Sequence, residues 1–318
     1  MAIYTGSNKH LGGTENVTQK HQFYYGLIQK NVLITGANGQ LGNELRVRKE
    51  ISNNIFHFIY TDVDTLDITD LQQVSDFIKE KSISYIINCA AYTNVEKAEE
   101  DTETAYLINH IGAENLAKAA AENECRMIHI STDFVFDGES TTPYTEDSLA
   151  NPLSVYGASK LKGEESVRQF AKEWMIIRTS WLYSEFGNNF VKTMIRLMSE
   201  HDTLNIVADQ HGTPTYAADL AEMIVHILEF SEENEWKTGI YHFSNTGETT
   251  WYGFAEKIRE LAHLEKCTLN PVTTEEYGAK AQRPAYSVLD KSKISSAFHV
   301  VIPGWENGLE RCIEKIKN

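Results

Sequence analysis

Residues 32–42 read VLITGANGQLG, an apolar run that passes directly into three regularly spaced glycines. In a dinucleotide-binding turn, the first glycine permits the tight turn, the second lets the backbone approach a pyrophosphate and the third allows close helix packing. The spacing assigns these roles to Gly36, Gly39 and Gly42, and the helix that follows would offer free N–H groups to the anion. An ordinary glycine-rich turn is the alternative that this stretch alone leaves open.

Short apolar runs alternate with longer amphipathic segments from Asn31 to about Trp181. The strand-like runs lie at 32–34, 56–60, 85–87, 127–130 and 175–177, and helical spacing of apolar residues marks 70–81, 103–123 and 155–172. Strands that alternate with helices predict βαβ units, and therefore the α/β class with a Rossmann-type, doubly wound parallel sheet. The regularity weakens beyond Trp181, which predicts a smaller C-terminal substrate-binding domain.

The length of 318 residues suits about two domains of ~150 residues each. Residues 1–30 show neither a helical nor a strand period, so we expect an N-terminal extension outside the fold. We expect residues 31–180 to form the dinucleotide-binding domain. Residues 181–318 would be mainly the substrate-binding domain, with later segments able to return to the first.

The composition excludes several classes of function. A formal net charge of -16 disfavours a nucleic-acid partner, because affinity for phosphate backbones rests on clustered cations. The chain has four cysteines without a CxxC spacing, which argues against a zinc site and a disulfide framework and favours a reducing cytoplasm. We expect no membrane partner and a cytoplasmic location, since neither a long apolar run nor a signal peptide is visible.

An acidic residue follows the second predicted strand at the position where many dinucleotide-binding proteins hold a ribose. Asp62 stands twenty residues after Gly42, which suits a hydrogen bond to an adenosine ribose hydroxyl, although a strand-end turn former is the alternative. A carboxylate there favours NADH, whereas Arg46 and Arg48 would favour the 2′-phosphate of NADPH. The sequence leaves the choice between NADPH and NADH open.

A second group of residues has the chemistry of proton transfer to a carbonyl. Tyr156 and Lys160 stand four apart in YGASK and share one face of a predicted helix. A neighbouring ammonium stabilises a phenolate and so makes tyrosine a usable acid. The fourth strand ends in Ser131-Thr132-Asp133, and ligand-facing residues collect at such carboxyl ends. A hydroxyl there would share the carbonyl oxygen with Tyr156.

Together these motifs resemble the extended short-chain dehydrogenase/reductases, which carry the GxxGxxG turn, a Ser or Thr at the end of the fourth strand and YxxxK. The resemblance covers the chain from Asn31 onward, and is strongest to the sugar-nucleotide reductases of that family. The blocks that carry it are GANGQLG, NCAAYTNVEKAE, STDFVFDG, NPLSVYGASKLKGE, RTSWLY, GNNF, DQHGTPT, TTWYGFA and Gln282-Arg283-Pro284. One departure is Phe134, where family members often carry Tyr.

The resemblance implies roles for individual residues. It implies a catalytic set of Thr132, Tyr156 and Lys160. It implies a cofactor site formed by Gly36, Gly39, Gln40, Leu41, Gly42, Asp62, Asp67, Ala90 and Ala91, together with Tyr156 and Lys160. It implies a sugar-nucleotide site formed by Thr93, Val95, Trp181, Asn189 and Arg283. For three of these residues a structural role is the alternative: a core aromatic for Trp181, a helix cap for Asn189 and packing for Val95.

The resemblance also implies an activity, which is reduction of the C4 keto group of dTDP-4-dehydro-L-rhamnose to dTDP-L-rhamnose with NADPH or NADH. The implied partner is a dTDP-sugar substrate, and the implied assembly is a monomer or a homodimer. Some family members dimerise through a magnesium ion held by glutamates. Glu44 stands where one such ligand would lie, but residues 199–203 do not clearly supply a second. We therefore predict no required metal.

Two rival functions stay open at this point. A sugar-nucleotide 4,6-dehydratase of the same superfamily would need an Asp-Glu pair after the strand-end Thr, whereas here Asp133 is followed by Phe134. A non-catalytic regulatory subunit is the second rival, because the β subunit of methionine adenosyltransferase is similar to this family. The intact set of Thr132, Tyr156 and Lys160 argues against that second interpretation.

Overall fold

A parallel sheet of six strands forms the centre of the molecule, in a computed structural model that describes residues 29–48 and 55–317. The strands are β1 (Lys30–Thr35), β2 (Phe56–Tyr60), β3 (Ile83–Asn88), β4 (Arg126–Thr132), β5 (Glu173–Thr179), β6 (Leu182–Tyr183), β7 (Thr203–Val207), β8 (His211–Gly212), β9 (Thr215–Tyr216), β10 (Gly239–His242), β11 (Thr249–Thr250) and β12 (Thr268–Val272). The central sheet has the order β2-β1-β3-β4-β5-β10. Three two-stranded sheets pair β6 with β9, β7 with β12 and β8 with β11.

Helices connect these strands. They are α1 (Gln40–Arg48), α2 (Leu71–Glu80), α3 (Val95–Ala98), α4 (Thr102–Tyr106), α5 (Ala113–Glu122), α6 (Val155–Phe170), α7 (Phe190–Glu200), α8 (Ala217–Glu233), α9 (Trp251–Ala262), α10 (Thr274–Tyr277), α11 (Ser292–Phe298) and α12 (Trp305–Lys317). A π-helical turn at Leu107–Gly112 joins α4 to α5, and a 3-10 turn at Asp133–Val135 follows β4. The amphipathic segment predicted at 103–123 is therefore one helical stretch with a π turn inside it.

Helices cover both faces of the central sheet, as the apolar strands require. Side chains of α1, α8 and α11 pack on one face around Val32, Ile34 and Ile87. Side chains of α2, α5 and α6 pack on the other face around Leu33 and Ile86. Parallel strands buried on both faces read as continuous apolar runs. The predicted α/β class with a Rossmann-type, doubly wound sheet is confirmed.

The sequence after Trp181 contributes to two parts of the molecule. α7, α9 and α12 enclose a separate apolar core with the pair β7 and β12. α8 and α11 instead pack on the central sheet, and β10 pairs with β5 at its edge. Residues 1–28 of the predicted extension lie outside the described residues, and β1 begins at Lys30. No helix in the described ranges is long and apolar enough to span a membrane.

The strand order places a crevice at the carboxyl end of the sheet. From β1 the chain passes outward to β2 and then to β3 on the opposite side of β1. Such a reversal leaves a crevice outside the carboxyl ends of β1 and β3, where open α/β sheets bind ligands. Thr35, Asn88 and Thr132 end β1, β3 and β4 at this edge.

Candidate active site

A cleft of about 1100 Å³ opens at this edge of the sheet. Its wall brings together residues from the glycine turn, from the ends of β1 and β4, from the start of α6 and from the segment after Trp181. Of the residues that the sequence predicted for catalysis, cofactor and substrate, each lines this cleft except Gly42. Residues that are scattered from position 36 to position 283 therefore meet in one place.

The glycine turn is shaped by close backbone contacts. Gly36 has a φ of +63°, and a Cβ on it would lie 2.6 Å from the backbone nitrogen of Ala90, so this position requires glycine. A Cβ on Gly42 would lie 2.5 Å from Cα of Ala37. Gly42 therefore serves the close packing of α1 against the turn, which explains why it does not line the cleft. The turn leads directly into α1 at Gln40.

The carboxylate of Asp62 is held beside this turn. Its Oδ2 accepts a hydrogen bond from the backbone N–H of Asn38 at 2.9 Å, and its Oδ1 accepts from that of Val63 at 2.9 Å. These bonds tie the end of β2 to the glycine turn. Asp67 lies further along the cleft, where its Oδ1 accepts from the backbone N–H of Thr69 at 2.9 Å and from its hydroxyl at 2.7 Å.

The two arginines that bear on cofactor choice differ in their surroundings. Arg48 is buried and forms ion pairs with Glu44 of α1 at 2.6 Å and with Glu222 of α8 at 3.2 Å. Its charge is therefore already balanced by two carboxylates of the protein. Arg46 stacks its guanidinium 4.8 Å from the centre of the Tyr60 ring, at the end of β2. Of the two, Arg46 therefore lies on the side of α1 that faces the end of β2.

Thr132 and Tyr156 are brought together by a close approach of α6 to the turn after β4. Ser154 caps α6, and its hydroxyl accepts a hydrogen bond from the backbone N–H of Gly157 at 3.2 Å. A Cβ on Gly157 would lie 2.1 Å from the carbonyl oxygen of Phe134, so a larger residue would force the helix away. The approach brings the Tyr156 hydroxyl beside the Thr132 side chain, which affects its acidity.

Burial dominates the acidity of both groups that would handle a proton. It raises the pKa of Tyr156 to about 12, and the neighbouring Thr132 side chain opposes this only in part. It lowers the pKa of Lys160 to about 8, against the opposite effect of Glu164. The sequence predicted that the ammonium of Lys160 lowers the pKa of Tyr156. Nζ of Lys160 donates to the carbonyl oxygen of Ile130 at 2.7 Å, and the effect of its ammonium on Tyr156 stays a prediction.

A buried acid stands beside the strand-end threonine. Asp133 is 2% exposed, and its Oδ1 accepts a hydrogen bond from the Thr132 hydroxyl at 3.1 Å, while its Oδ2 has no partner among the described residues. Burial raises the pKa of Asp133 to about 6, against the opposite effect of the Ser287 and Thr132 side chains. Phe134 follows Asp133 and packs edge-on against the Tyr156 ring, with centroids 5.4 Å apart.

Two tryptophans form the opposite wall. The Trp181 ring stacks on Trp251 with centroids 3.6 Å apart and planes 10° apart. Trp181 has a φ of +47°, which is unfavourable for a residue with a large side chain. A Cβ on Gly212 would lie 2.5 Å from the Trp181 ring, so this glycine makes room for it. Trp181 is thus held in an unusual conformation that places its indole at the cleft.

Asn189 has a structural task at the edge of the cleft. Its Oδ1 accepts a hydrogen bond from the backbone N–H of Lys192 at 3.1 Å and so caps α7. Its Nδ2 donates to Oε1 of Gln40 at 3.0 Å and to the carbonyl oxygen of Ser184 at 2.6 Å. Asn189 therefore connects the start of α7 with the start of α1, and its predicted ligand role stays a prediction.

Arg283, which the resemblance implies for the phosphates of the sugar nucleotide, forms an ion pair with Glu96. Arg283 bonds Oε1 of Glu96 on α3 at 2.6 Å, and the backbone N–H groups of Lys280 and Ala281 donate to Oε2 of Glu96 at 3.1 Å each. This places the segment after α10 against α3. Val95, the first residue of α3, and Thr93 just before it line the same part of the cleft.

Glu44, the residue considered for a metal, is buried beneath the cleft and engaged with protein partners. Its oxygens bond Arg48 at 2.6 Å and the Ser184 hydroxyl at 2.8 Å. Burial, followed by a hydrogen bond with Glu185, raises the pKa of Glu44 to about 7. Within the described ranges no three His, Cys, Asp or Glu side chains cluster as a metal site. That no metal is required stays a prediction.

The structure adds residues that the sequence did not predict for the site. Trp251 lines the cleft beside Trp181, and Cys89 and Ser131 line it next to Ala90 and Thr132. The block TTWYGFA was visible in the sequence, but nothing local places Trp251 against a tryptophan seventy residues earlier. Cys89 follows the predicted strand 85–87, and this position near the carboxyl edge was the signal that would have found it, whereas Ser131 was named at the end of the fourth strand without a role.

A glycine turn at the switch point of a parallel sheet, with Thr132, Tyr156 and Lys160 on the far side of the same cleft, defines the class of extended short-chain dehydrogenase/reductases. Residues 30–318 match the family model of the RmlD substrate binding domain. The chain belongs to this family, in which its relatives are named dTDP-4-dehydrorhamnose reductase.

Individual relatives agree with this placement. A dTDP-4-dehydrorhamnose reductase of Aggregatibacter actinomycetemcomitans is 41% identical over 285 residues, which are 88% of this chain and 97% of the relative. A crystal structure of dTDP-4-dehydrorhamnose reductase from Bacillus anthracis str. Ames in complex with NADP is 43% identical, with a TM-score of 0.85 over 91% of this chain and 100% of that chain. A UDP-glucuronic acid 4-epimerase from Bacillus cereus, 20% identical with a TM-score of 0.77 over 91% of this chain and 99% of that chain, shares the fold alone.

Proposed function

We propose that this protein reduces the C4 keto group of dTDP-4-dehydro-L-rhamnose, with NADPH or NADH, and so forms dTDP-L-rhamnose. The observation that carries the proposal is the contact of Tyr156 with Thr132 in a cleft that the glycine turn also lines. The names of the relatives support the substrate, and the NADP bound to the Bacillus anthracis enzyme supports a nicotinamide cofactor.

The residues of the cleft fit a dinucleotide. The backbone at Gly36 and Ala90 approaches so closely that no side chain fits there, and the start of α1 at Gln40 and Leu41 offers N–H groups to a pyrophosphate. Asp62 and Asp67 would hold the adenosine end, with Gly39 admitting the phosphates and Ala90 and Ala91 the central part. When bound, the dihydronicotinamide supplies the hydride that is added at C4.

The side chains of this protein supply the proton. The phenol of Tyr156 donates its proton to the C4 oxygen, which becomes the product hydroxyl and leaves a phenolate on Tyr156. The Thr132 hydroxyl donates a hydrogen bond to the same oxygen and stabilises the charge that develops there. The ammonium of Lys160 stabilises the phenolate, because a nearby cation favours the charged form.

The opposite wall would hold the sugar nucleotide. The face of the Trp181 indole suits the 6-deoxy methyl group, and Thr93 and Val95 border the same region. Arg283 would release Glu96 and bind the phosphates as a charge-assisted hydrogen bond donor. The amide of Asn189, which bridges α7 and the start of α1, would add a polar contact at the boundary between the two ligands.

The organisation of the chain belongs to the same proposal. Residues 31–180 would form the dinucleotide-binding domain and residues 181–318 mainly the substrate-binding domain, with α8, β10 and α11 returning to the first. We expect a monomer or a homodimer, which size-exclusion chromatography with light scattering distinguishes. Four free cysteines support a cytoplasmic location.

The dehydratase alternative meets a chemical obstacle in the cleft. Elimination needs an acid after Asp133, and that position is held by Phe134, whose ring packs against Tyr156. One proton carrier is therefore lacking, whereas a reductase needs only the Thr132, Tyr156 and Lys160 set.

A direct assay tests the proposed activity. The full chain is incubated with dTDP-4-dehydro-L-rhamnose and either NADPH or NADH, while the loss of dihydronicotinamide absorbance is followed. The precursor dTDP-4-dehydro-6-deoxy-D-glucose serves as the comparison substrate. We expect turnover that favours the L sugar. Equal kcat/KM for both sugars would contradict the proposed stereochemical selection, and no turnover with either would refute the reductase.

A further inference from the structure

A row of polar side chains crosses the interior of the central sheet behind Lys160. Thr35 on β1 is the register partner of Asn88 on β3, and Asn88 is the register partner of His129 on β4. Each of the three is 1% exposed. Polar groups that lose water in an apolar interior destabilise the fold unless they are hydrogen-bonded. Each of these groups therefore needs a hydrogen-bond partner inside the sheet.

The direction of these bonds is fixed at Asn88. Its Oδ1 accepts from the Thr35 hydroxyl at 2.7 Å and from the backbone N–H of Ala90 at 3.1 Å. Because a backbone N–H can only donate, the amide oxygen must face Ala90 and the amide nitrogen must face His129. That nitrogen lies 3.0 Å from Nδ1 of His129 and can only donate to it.

The protonation of His129 follows from this bond. Burial, together with the charge of Lys160, holds the pKa of His129 well below its usual range, so the ring is neutral. A neutral imidazole carries one proton, and Nδ1 is already an acceptor. The proton is therefore on Nε2. Nε2 lies 3.5 Å from Nζ of Lys160, so an N–H group points at the amine that the proposed mechanism needs as a cation.

Other groups face Lys160 from the elements packed around it. Glu164, on the same helix, favours the charged amine, but both its oxygens are engaged by Arg178 of β5 at 2.9 and 2.7 Å, and one also by Ser131. Cys89 follows β3, and burial raises the pKa of its thiol to about 12, so the thiol is uncharged where Lys160 titrates. The N–H of His129 acts in the opposite sense, because its positive end faces the amine.

We propose that the Thr35–Asn88–His129 row is a positioning device that locks His129 in its Nε2–H form, holds Nζ of Lys160 against Ile130 and disfavours the ammonium. Asn88 and His129 do not line the cleft, so they act through Lys160. The inference rests on the proposed function for its kinetic consequence alone. The tautomer of His129 is independent of which reaction the protein catalyses.

Asn88→Asp is designed to reverse the direction of the hydrogen bond to His129 without changing the size of the side chain. One carboxylate oxygen keeps the bonds from Thr35 and Ala90, and the other can only accept, so Nδ1 of His129 must take the proton. The Nε2 lone pair then faces Lys160 and favours its ammonium. Activity that requires charged Lys160 falls as the pH rises through its pKa. We expect this fall to move upward by about one pH unit or more in the variant.

A pair of His129 variants separates positioning from bulk packing. His129→Gln keeps an amide N–H near the place of Nε2–H, and we expect its loss of activity with rising pH to stay near that of the parent. His129→Leu removes the N–H, and we expect the loss to occur at higher pH. A row that only supports the fold would instead lower kcat equally at every pH and leave the midpoint unmoved in all three variants.

Nuclear magnetic resonance of protein labelled with ¹⁵N in its histidine rings tests the tautomer without any assay of activity. Among the 11 histidines, the signals of His129 are those lost in His129→Gln. We expect a protonated Nε2 and an unprotonated Nδ1 in the parent, and the reverse in Asn88→Asp. A protonated Nδ1 in the parent overturns the proposal. If the tautomers are as expected but the protein fails to reduce the sugar, the proposed function is refuted. The proposal for the Thr35–Asn88–His129 row is then still supported.

Discussion

The Tyr156 hydroxyl is the residue-scale centre of the proposed chemistry, since it touches Thr132 and carries the transferable proton. Tyr156→Phe removes that proton and keeps the ring that packs on Phe134. We expect kcat to fall ~100- to 10,000-fold, the usual contribution of general acid catalysis, while cofactor affinity is retained. Steady-state kinetics and cofactor fluorescence titration measure the two effects. The matched control is Tyr106→Phe on α4, which we expect to keep parental kcat.

Arg46 is the residue-scale candidate for distinguishing the two cofactors, because Arg48 is already paired with Glu44 and Glu222. A guanidinium contact to a 2′-phosphate contributes to NADPH binding and has no counterpart in NADH. We expect Arg46→Ala to raise the KM for NADPH about tenfold, which corresponds to about 1.4 kcal/mol, with little change for NADH. Arg196→Ala, on the exposed side of α7, is the control. Equal effects on both cofactors would remove Arg46 from this role.

At the scale of elements, the site depends on how closely α6 approaches the turn after β4. The approach is possible because Gly157 has no side chain. A Cβ at Gly157 would lie 2.1 Å from the carbonyl oxygen of Phe134. Gly157→Ala would push the helix and Tyr156 away from Thr132. We expect a lower melting temperature, with a loss of about 1–3 kcal/mol as for other overpacked positions, and a fall in kcat.

A glycine with open surroundings controls for the substitution itself. At Gly304 a Cβ would meet its nearest neighbour, an oxygen of Glu306, at 3.5 Å, which is an ordinary contact. Gly304→Ala should therefore change both melting temperature and kcat little. If Gly157→Ala also left both unchanged, α6 would have room to shift without disturbing the pair of Thr132 and Tyr156.

A buried acid on α1 links the cofactor side of the molecule to the segment after β6. Glu44 on α1 bonds Ser184, and burial, followed by a hydrogen bond with Glu185, raises its pKa from the ordinary 4.5 to about 7. A raised carboxyl pKa means that the folded state binds more protons than the unfolded state between these values. The free energy of unfolding contributed by Glu44 is therefore largest below pH 4.5 and is lost as the pH rises toward 7.

Glu44→Gln tests this sign, because the amide does not titrate. Relative to the parent, we expect the melting temperature of the variant to improve as the pH rises from about 5 to about 8. Differential scanning calorimetry across this range measures the trend. Glu222→Gln also removes a partner of Arg48 but on an exposed side chain, and should show no such trend. A constant difference between Glu44→Gln and the parent would show that Glu44 is ionised throughout.

Features that depend on local spacing could be predicted from the amino-acid order. The period of apolar residues fixed the strands 32–34 and 175–177 and the helix that carries Tyr156 and Lys160, because strand and helix place side chains at regular intervals. The glycine turn could be predicted for the same reason, since the tight turn at Gly36 requires a positive φ, which glycine adopts readily. These local rules were sufficient to predict the fold class and the position of Thr132 at the carboxyl end of its strand.

Tertiary structure alone decided the contacts between distant segments. Trp251 stacks behind Trp181, Arg283 pairs with Glu96, and Asn88 sets the tautomer of His129. None of these has a signature within a short window, because each depends on which strands become neighbours and how closely helices pack. The sequence predicted that Lys160 lowers the pKa of Tyr156, and the structure adds an influence that spacing does not give, which is burial that raises this pKa to about 12. The reason is physical: spacing determines which face a side chain is on, but the folded chain determines how much water and which charges surround it.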